Sequence, residues 1–147
     1  FYGPSSVHAL REDIEREVLD KGGEVRIIVQ DPDSPAIDSL RDQLDTRDPR
    51  ANLKGDLESS LRLLRHIMPT VPEGKLLCRL LPYSPGFSMV IVDPDRSDGL
   101  MIVEFLGFRY EHVNQRMHLT IRRTESPRWF EHWLAQYQRM WDAAHPL

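Results

Sequence analysis

Cysteine and long apolar runs are scarce in this sequence, and their scarcity excludes several kinds of protein. One of the 147 residues is a cysteine, which excludes an internal disulfide and a cysteine-based zinc site. Cys78 lies inside an apolar run, so we expect a buried, reduced thiol rather than a reactive one. No apolar run approaches the roughly 20 residues of a membrane span, and no signal-peptide pattern is present. We therefore expect a cytoplasmic location and no membrane partner.

The sequence also lacks an excess of basic residues. The 19 Lys and Arg residues against 23 Asp and Glu residues give a net charge of −4. That balance provides no electrostatic footprint for nucleic acid or for an anionic membrane surface. No glycine-rich phosphate loop and no Gly-x-Ser-x-Gly nucleophile elbow occurs. We expect no direct nucleic-acid binding by this domain, and nothing in the sequence indicates a cofactor.

The sequence does contain regular helical and strand patterns. The spacing of apolar residues predicts helices between Ser6 and Gly22, near Ile37–Leu44, over Leu53–Met68 and over Pro127–Trp141. Apolar and β-branched runs predict strands at Phe1–Gly3, Glu24–Gln30, Lys75–Leu81, Phe87–Val92, Leu100–Leu106 and Met117–Arg123. This order predicts one α/β or α+β domain over residues 1–147, with helices covering a mixed sheet of about six strands.

Both ends of the pattern carry further information. Phe1–Gly3 is typical of the end of a strand, and no initiator Met precedes it, so we expect a domain excised from a longer chain. The last predicted helix carries an aromatic stripe at helical spacing, and such a stripe more often packs into a core than binds a cofactor. Its members are Phe130, Trp133, Leu134, Tyr137 and Trp141.

The segment Gly86–Gly107 predicts two apolar strands joined by an acidic turn. It resembles the active-site segment of the phospholipase D-like family, in which a His-x-Lys-x4-Asp signature is followed by a strand and a Gly-Ser-x-Asn-like element. Phe1–Ser6 before an amphipathic helix, and Gly22–Val29 before Asp31–Ser34, are similar to the half-domain of that family. The resemblance covers nearly the whole chain. It is closest to degenerate bacterial members beside regulatory or DNA-binding modules.

The departures from the family signature concern its chemistry. Asp93 matches the signature, but Gly86 stands at the His position and Ser88 at the Lys position. In active members the His accepts the phosphoryl group and the Lys stabilises the phosphate oxygens. Glu104 falls near the Gly-Ser-x-Asn-like element, and its carboxylate would repel a phosphate. The resemblance therefore implies a scaffold without catalytic residues, acting as a ligand-sensing or assembly module of a bacterial regulator.

Several polar residues are candidates for binding a small molecule or a protein partner. Those chosen are Ser5, Ser6, Asp31, Asp33, Arg79, Ser88, Asp93, Glu104, His118 and Arg122. Each has a structural alternative. Ser5 and Ser6 at a helix start could bind an anion or simply cap the helix. The two Asp-Pro-Asp turns at residues 31–33 and 93–95 could together hold a divalent cation or simply end two strands, and we assign no metal site.

Two further functions stay open. The first is a phosphodiesterase-type hydrolase with relocated residues, using His118 with Glu104 or Asp93. The motif His118–Ile121 matches one copy of the His-x-Thr-x element of the two-histidine phosphoesterases, but a second copy is missing. Strand alternation places His118, Thr120 and Arg122 on one face, which could border a cleft. The second is an interaction module that forms a homodimer through a sheet face or edge.

Overall fold

The computed structural model describes residues 2–3, 15–44, 52–107 and 117–147. Its strands are β1 (Tyr2–Gly3), β2 (Val25–Gln30), β3 (Leu76–Leu81), β4 (Phe87–Val92), β5 (Leu100–Phe105), β6 (His118–Arg122) and β7 (His145–Pro146). Its helices are α1 (Ala36–Leu44), α2 (Leu53–Ile67) and α3 (Pro127–Ala143), with a π-helical turn at Glu15–Leu19 and a 3₁₀ turn at Met68–Thr70. The predicted α+β class is confirmed.

The strands lie in the order β6-β5-β4-β1-β2-β3-β7. One half consists of β4, β5 and β6, each antiparallel to the next. The other half consists of β2 parallel to β3, with β7 antiparallel to β3. Between the halves, β1 pairs parallel with β2 and antiparallel with β4. This arrangement of two three-stranded halves around a two-residue strand differs from the six-stranded sheet that we expected for a phospholipase D-like half-domain.

Helix α3 covers one face of both halves of the sheet. It begins with Pro127 in its first turn, where a missing N–H costs no hydrogen bond. Its buried side chains pack in one cluster with residues from five strands, namely Ile28, Leu81, Met89, Met101, Val103 and Ile121. Of the predicted aromatic stripe, Phe130, Tyr137 and Trp141 are buried and the other two members are half-buried. The interpretation of the stripe as core is confirmed.

Helix α2 covers β2 and β3 on the opposite face. Its leucines lie at helical spacing, so Leu57, Leu61 and Leu64 all point at the sheet. They pack against alternate residues of the two parallel strands, including Ile27, Val29 and Cys78. The cysteine is buried and in the thiol form, as predicted.

Strand directions give the sheet two distinct edges. β1, β2, β3 and β5 end at one edge, where β4, β6 and β7 begin, and we call this the front edge. At the opposite, back edge β2 and β3 begin and β4 and β6 end. Loops that follow β2 and β4 in the sequence therefore project from opposite edges.

Candidate functional site

Five of the predicted ligand-binding residues lie at the front edge. They are Asp31 and Asp33 after β2, Ser88 as the second residue of β4, Glu104 near the end of β5 and His118 at the start of β6. Strand pairing divides them into two groups, because β1 lies between β2 and the strands β4, β5 and β6 that carry the other three.

The first group is a row across three neighbouring strands. Ser88 lies opposite Glu104, and Glu104 lies opposite His118. The Ser88 hydroxyl donates a hydrogen bond to Glu104 Oε2 at 2.9 Å, which fixes the orientation of the carboxylate. Since Met89 and Val103 point at α3, alternation places this row on the other face of the sheet. Ser88 and Glu104 are half-buried and His118 is exposed.

The second group is built around the end of β2. Asp31 Oδ2 lies 3.2 Å from His145 Nε2, and Asp31 Oδ1 accepts the Asp33 N–H at 2.9 Å. Asp33 in turn accepts a hydrogen bond from Lys54 at 3.1 Å, which raises the pKa of the Lys54 ammonium. A carboxylate that accepts the N–H two residues onward is an Asx turn. This geometry favours the turn interpretation of the first Asp-Pro-Asp segment.

His118 does not share one small-molecule site with the second group. Asp31 and His118 are separated by four strand spacings, or about 19 Å, which is too far for one small ligand to contact both. Ser88 to His118 covers two spacings, or about 10 Å, which suits a small ligand.

The second Asp-Pro-Asp turn lies at the back edge, after β4. The structure therefore does not bring the two turns together around one cation, because β4 runs antiparallel to β1 while β2 runs parallel to it. In residues 2–3, 15–44, 52–107 and 117–147, no three His, Cys, Asp or Glu side chains converge as metal ligands. Asp93 itself is exposed at a φ of 50°, a conformation that aspartate adopts in turns more readily than most residues.

The position of Asp93 also concerns the alternative of a hydrolase that uses His118 with Asp93. Asp93 follows Val92, which is level with Leu100 and Arg122, whereas His118 lies four residues earlier on β6. That offset is about 13 Å along the sheet, so the structure does not bring the side chains of His118 and Asp93 together. His118 and Glu104 are cross-strand neighbours, so a catalytic pair of these two residues stays a prediction.

The predicted arginine partners have other structural roles. Arg79 points at the end of α3, where its Nη1 donates to Trp141 O at 2.7 Å and to Ala144 O at 3.4 Å. Arg122 lies at the back edge, 3.9 Å from Glu125. Neither side chain belongs to the Ser88–His118 row. Ser5 and Ser6 lie outside the described residues.

Gly86, at the His position of the family signature, has a φ of 78°. An L-residue is strained in that conformation, although nothing lies within 4 Å of where its Cβ would be. The backbone at this position therefore disfavours any side chain, including the histidine of the family signature.

No family model, curated protein or solved structure matches this chain. The phospholipase D-like resemblance therefore gains no support from known proteins and stays a prediction. Among the helices within residues 15–44, 52–107 and 117–147, none has the length and apolar character needed to cross a membrane.

A second candidate surface lies beside β6, and sequence reasoning missed it. Met117, Leu119 and Trp129 are 70%, 44% and 58% exposed, and we call these three residues the β6 patch. Leu119 lies opposite buried Val103, so it is on the α3 face, and α3 contacts β6. The available signal was Trp129, a large aromatic residue that lies outside the predicted core stripe of its helix.

Proposed function

We propose that this domain is a non-catalytic assembly module that forms a symmetric dimer through the outer edge of β6. The observation that carries the proposal is the β6 patch, because large apolar side chains that stay exposed on or near an outer strand favour burial against a partner. The dimer in this proposal does not depend on phospholipase D-like ancestry.

The two outer strands of the sheet differ in how well they resist pairing. β7 is two residues long and contains Pro146, which has no N–H to offer to another strand. β6 has five residues and no proline, and two exposed apolar residues lie in or next to it. Among the strands that the structure describes, none pairs with the outer side of β6. This asymmetry favours β6 as the interface.

The backbone of β6 is suited to pairing with a copy of itself. Phe105 N–H donates to Met117 O at 2.9 Å, so the backbone groups of Met117, Leu119 and Ile121 face β5. By alternation the groups of His118, Thr120 and Arg122 face outward. An antiparallel copy centred on Thr120 would pair each outward-facing residue, with Thr120 opposite its own copy. That arrangement is self-complementary, as a two-fold interface requires.

The non-catalytic part of the proposal is supported by the Ser88–His118 row. Ser88 replaces a cationic residue of the signature, and its hydroxyl is bonded to Glu104. The row instead offers a carboxylate and an imidazole to a ligand, which suits an uncharged or cationic molecule better than a phosphate. A ligand bound there would lie close to His118 at the start of β6, and so beside the proposed interface.

The test compares the molar mass of the wild type with that of two variants by sedimentation equilibrium. The Thr120 N–H faces outward, so Thr120→Pro removes no hydrogen bond to β5 but prevents edge pairing. We expect a dimeric wild type, at least about tenfold weaker dimerisation for Thr120→Pro, and a dimer for the control Thr120→Val. Circular dichroism checks that each variant is folded. A monomeric wild type at hundreds of micromolar, or an unchanged dimer of folded Thr120→Pro, would overturn the proposal.

A further inference from the structure

The back edge carries a cleft that the sheet topology explains. It has a volume of about 600 Å³, and its walls come from the start of β2, the end of β4 and one side of α3. Arg26 and Ile91 flank it on the two strands, and Leu134 and Tyr137 cover it from the helix.

The register of β1 shows what shape of ligand the cleft fits. β1 pairs with Ile28 and Val29 in the second half of β2, and with Met89 of β4. Continued toward its amino end, the line of β1 passes between the first half of β2 and the second half of β4. A residue two positions ahead of Tyr2 would lie between Arg26 and Ile91, the two residues that flank the cleft.

The spacing and backbone directions also fit one extended strand. β2 and β4 lie two strand spacings apart across β1, or about 10 Å, which leaves room for a single strand. Val25 N–H donates to the O atom of Lys75, the residue before β3, at 2.8 Å, so Val25 faces β3 and the backbone groups of Arg26 face the cleft by alternation. Leu106 N–H donates to Gly86 O at 2.9 Å, so the backbone groups of Gly86 face β5. Ile91 lies an odd number of residues further on, so its backbone groups face away from β5 and toward the cleft.

Tyr137 already interacts with this edge of β2. Its hydroxyl donates to Arg26 O at 3.3 Å, near the upper limit for a hydrogen bond. Burial raises the pKa of Tyr137, so the hydroxyl stays protonated and remains a donor. The rim of the cleft carries Asp95 together with Glu24, which pairs with Arg26, and Glu131, which pairs with Arg123. These three carboxylates outnumber the two arginines, which favours a basic residue at the outer end of the cleft.

We propose that this cleft is a strand-binding slot, which takes an extended segment of polypeptide continuing β1 toward its amino end. The segment pairs parallel with β2 and antiparallel with β4. It places an apolar side chain between Arg26 and Ile91, beneath Leu134, and a basic one at the acidic rim. The two halves of the sheet then share three or more residues of a common strand instead of two. This inference is independent of the proposed dimer, which uses β6.

The test adds four residues ahead of Phe1 in the 147-residue chain. In the extension Thr-Lys-Thr-Val, the valine falls two positions ahead of Tyr2 and the lysine falls at the rim. We expect the extension to raise the melting temperature by about 3 °C or more, and to slow amide exchange of Ile91 at least tenfold. The control extension Gly-Ser-Gly-Ser has low strand propensity and should change neither quantity by as much.

A second variant keeps the experiment specific to the slot. Ala135 lines the cleft from α3, and Ala135→Phe would fill it without touching the sheet register. In this variant the Thr-Lys-Thr-Val extension should no longer stabilise the protein. Equal effects of the two extensions, or undiminished stabilisation in folded Ala135→Phe, would overturn the proposal. Stabilisation by the same peptide added in trans, but not by the extension, would also overturn it, because that result would indicate a separate partner.

Discussion

At position 86 the backbone decides which residue is tolerated. Gly86 precedes β4 with a φ of 78°, in open space, so a side chain there would be strained without any clash. The sequence showed that the histidine of the family signature was missing. It did not show that the local conformation disfavours one, because φ depends on how the loop between β3 and β4 closes.

We predict that Gly86→Ala lowers the free energy of unfolding by about 1 kcal/mol, the usual strain of an L-residue at positive φ. Urea denaturation measures the change. The slope of the unfolding free energy against urea concentration should stay constant, because the substitution does not change the compactness of the unfolded state. Gly86→Asn is the matched control and should lose less, since asparagine tolerates this conformation better. An alanine variant as stable as the wild type would contradict the strain argument.

At the scale of elements, the end of α3 depends on a side chain from the sheet. Arg79 donates to two carbonyls at that end and lies 4.8 Å from the Trp141 ring centroid, over the ring. The last carbonyls of a helix have no partners within it, and a cation placed there also offsets the negative end of the helix dipole. A residue that we predicted as an anion partner therefore holds α3 against β3.

We predict that Arg79→Met destabilises the protein by about 2 kcal/mol, as expected for charge-assisted hydrogen bonds. Urea denaturation gives the loss, and amide exchange of Ala144 reports whether the end of α3 frays. Ala144 N–H bonds to Met140 O at 3.0 Å and should exchange faster in the variant. Arg79→Lys keeps a charge but loses the planar guanidinium that lies over Trp141, so its stability should fall between those of Arg79→Met and the wild type. If Arg79→Met were as stable as the wild type, Arg79 would not hold the end of α3 against β3.

Element boundaries were predictable where periodicity was strong. β4 matches its predicted range, and β3, β5 and β6 differ from theirs by one residue at one or both ends. β7 was missed because two residues containing a proline carry no periodic signal. The first predicted helix lies mainly outside the described residues. Its described part, Glu15–Leu19, is π-helical, and Gly22 follows it with a φ of 80°.

At the scale of the whole molecule, the relative directions of strands were not predictable. The two Asp-Pro-Asp turns look equivalent in sequence, since each follows an apolar strand, yet they lie at opposite edges. Direction is set by long-range pairing, which local patterns do not encode. The alternation of β6 was predictable, and its register confirms that His118, Thr120 and Arg122 share one face. The exposure of Leu119 was not predictable, because it depends on how far α3 extends over the edge of the sheet.

Burial of two weak acids makes the folded state sensitive to alkaline pH. Burial raises the pKa of the Cys78 thiol from 9.0 to about 12, and raises the pKa of Tyr137 above its ordinary value of 10.0. Above pH 9 the unfolded chain releases protons that the folded protein retains. The stabilisation from these groups is therefore complete below pH 9 and is lost as the pH rises toward 12.

We predict that the free energy of unfolding falls between pH 9 and pH 11 by up to about 1.4 kcal/mol per pH unit for each group. Urea denaturation at pH 8, 9.5 and 10.5 measures the slope. Cys78→Ala should be less stable than the wild type at pH 8 because it leaves a cavity, but should lose less stability between pH 8 and pH 10.5. Identical slopes for the variant and the wild type would show that the thiol is not responsible.

The dependence of both halves of the sheet on α3 has a consequence for synthesis. A nascent chain that has emerged as far as β6 contains six of the seven strands, but its apolar face of Ile28, Met89, Met101 and Val103 has no cover. That face is buried only when the ribosome has added the residues of α3, which follow directly. Aggregation of the nascent chain is therefore most probable during this interval, and chaperone binding would be most useful then.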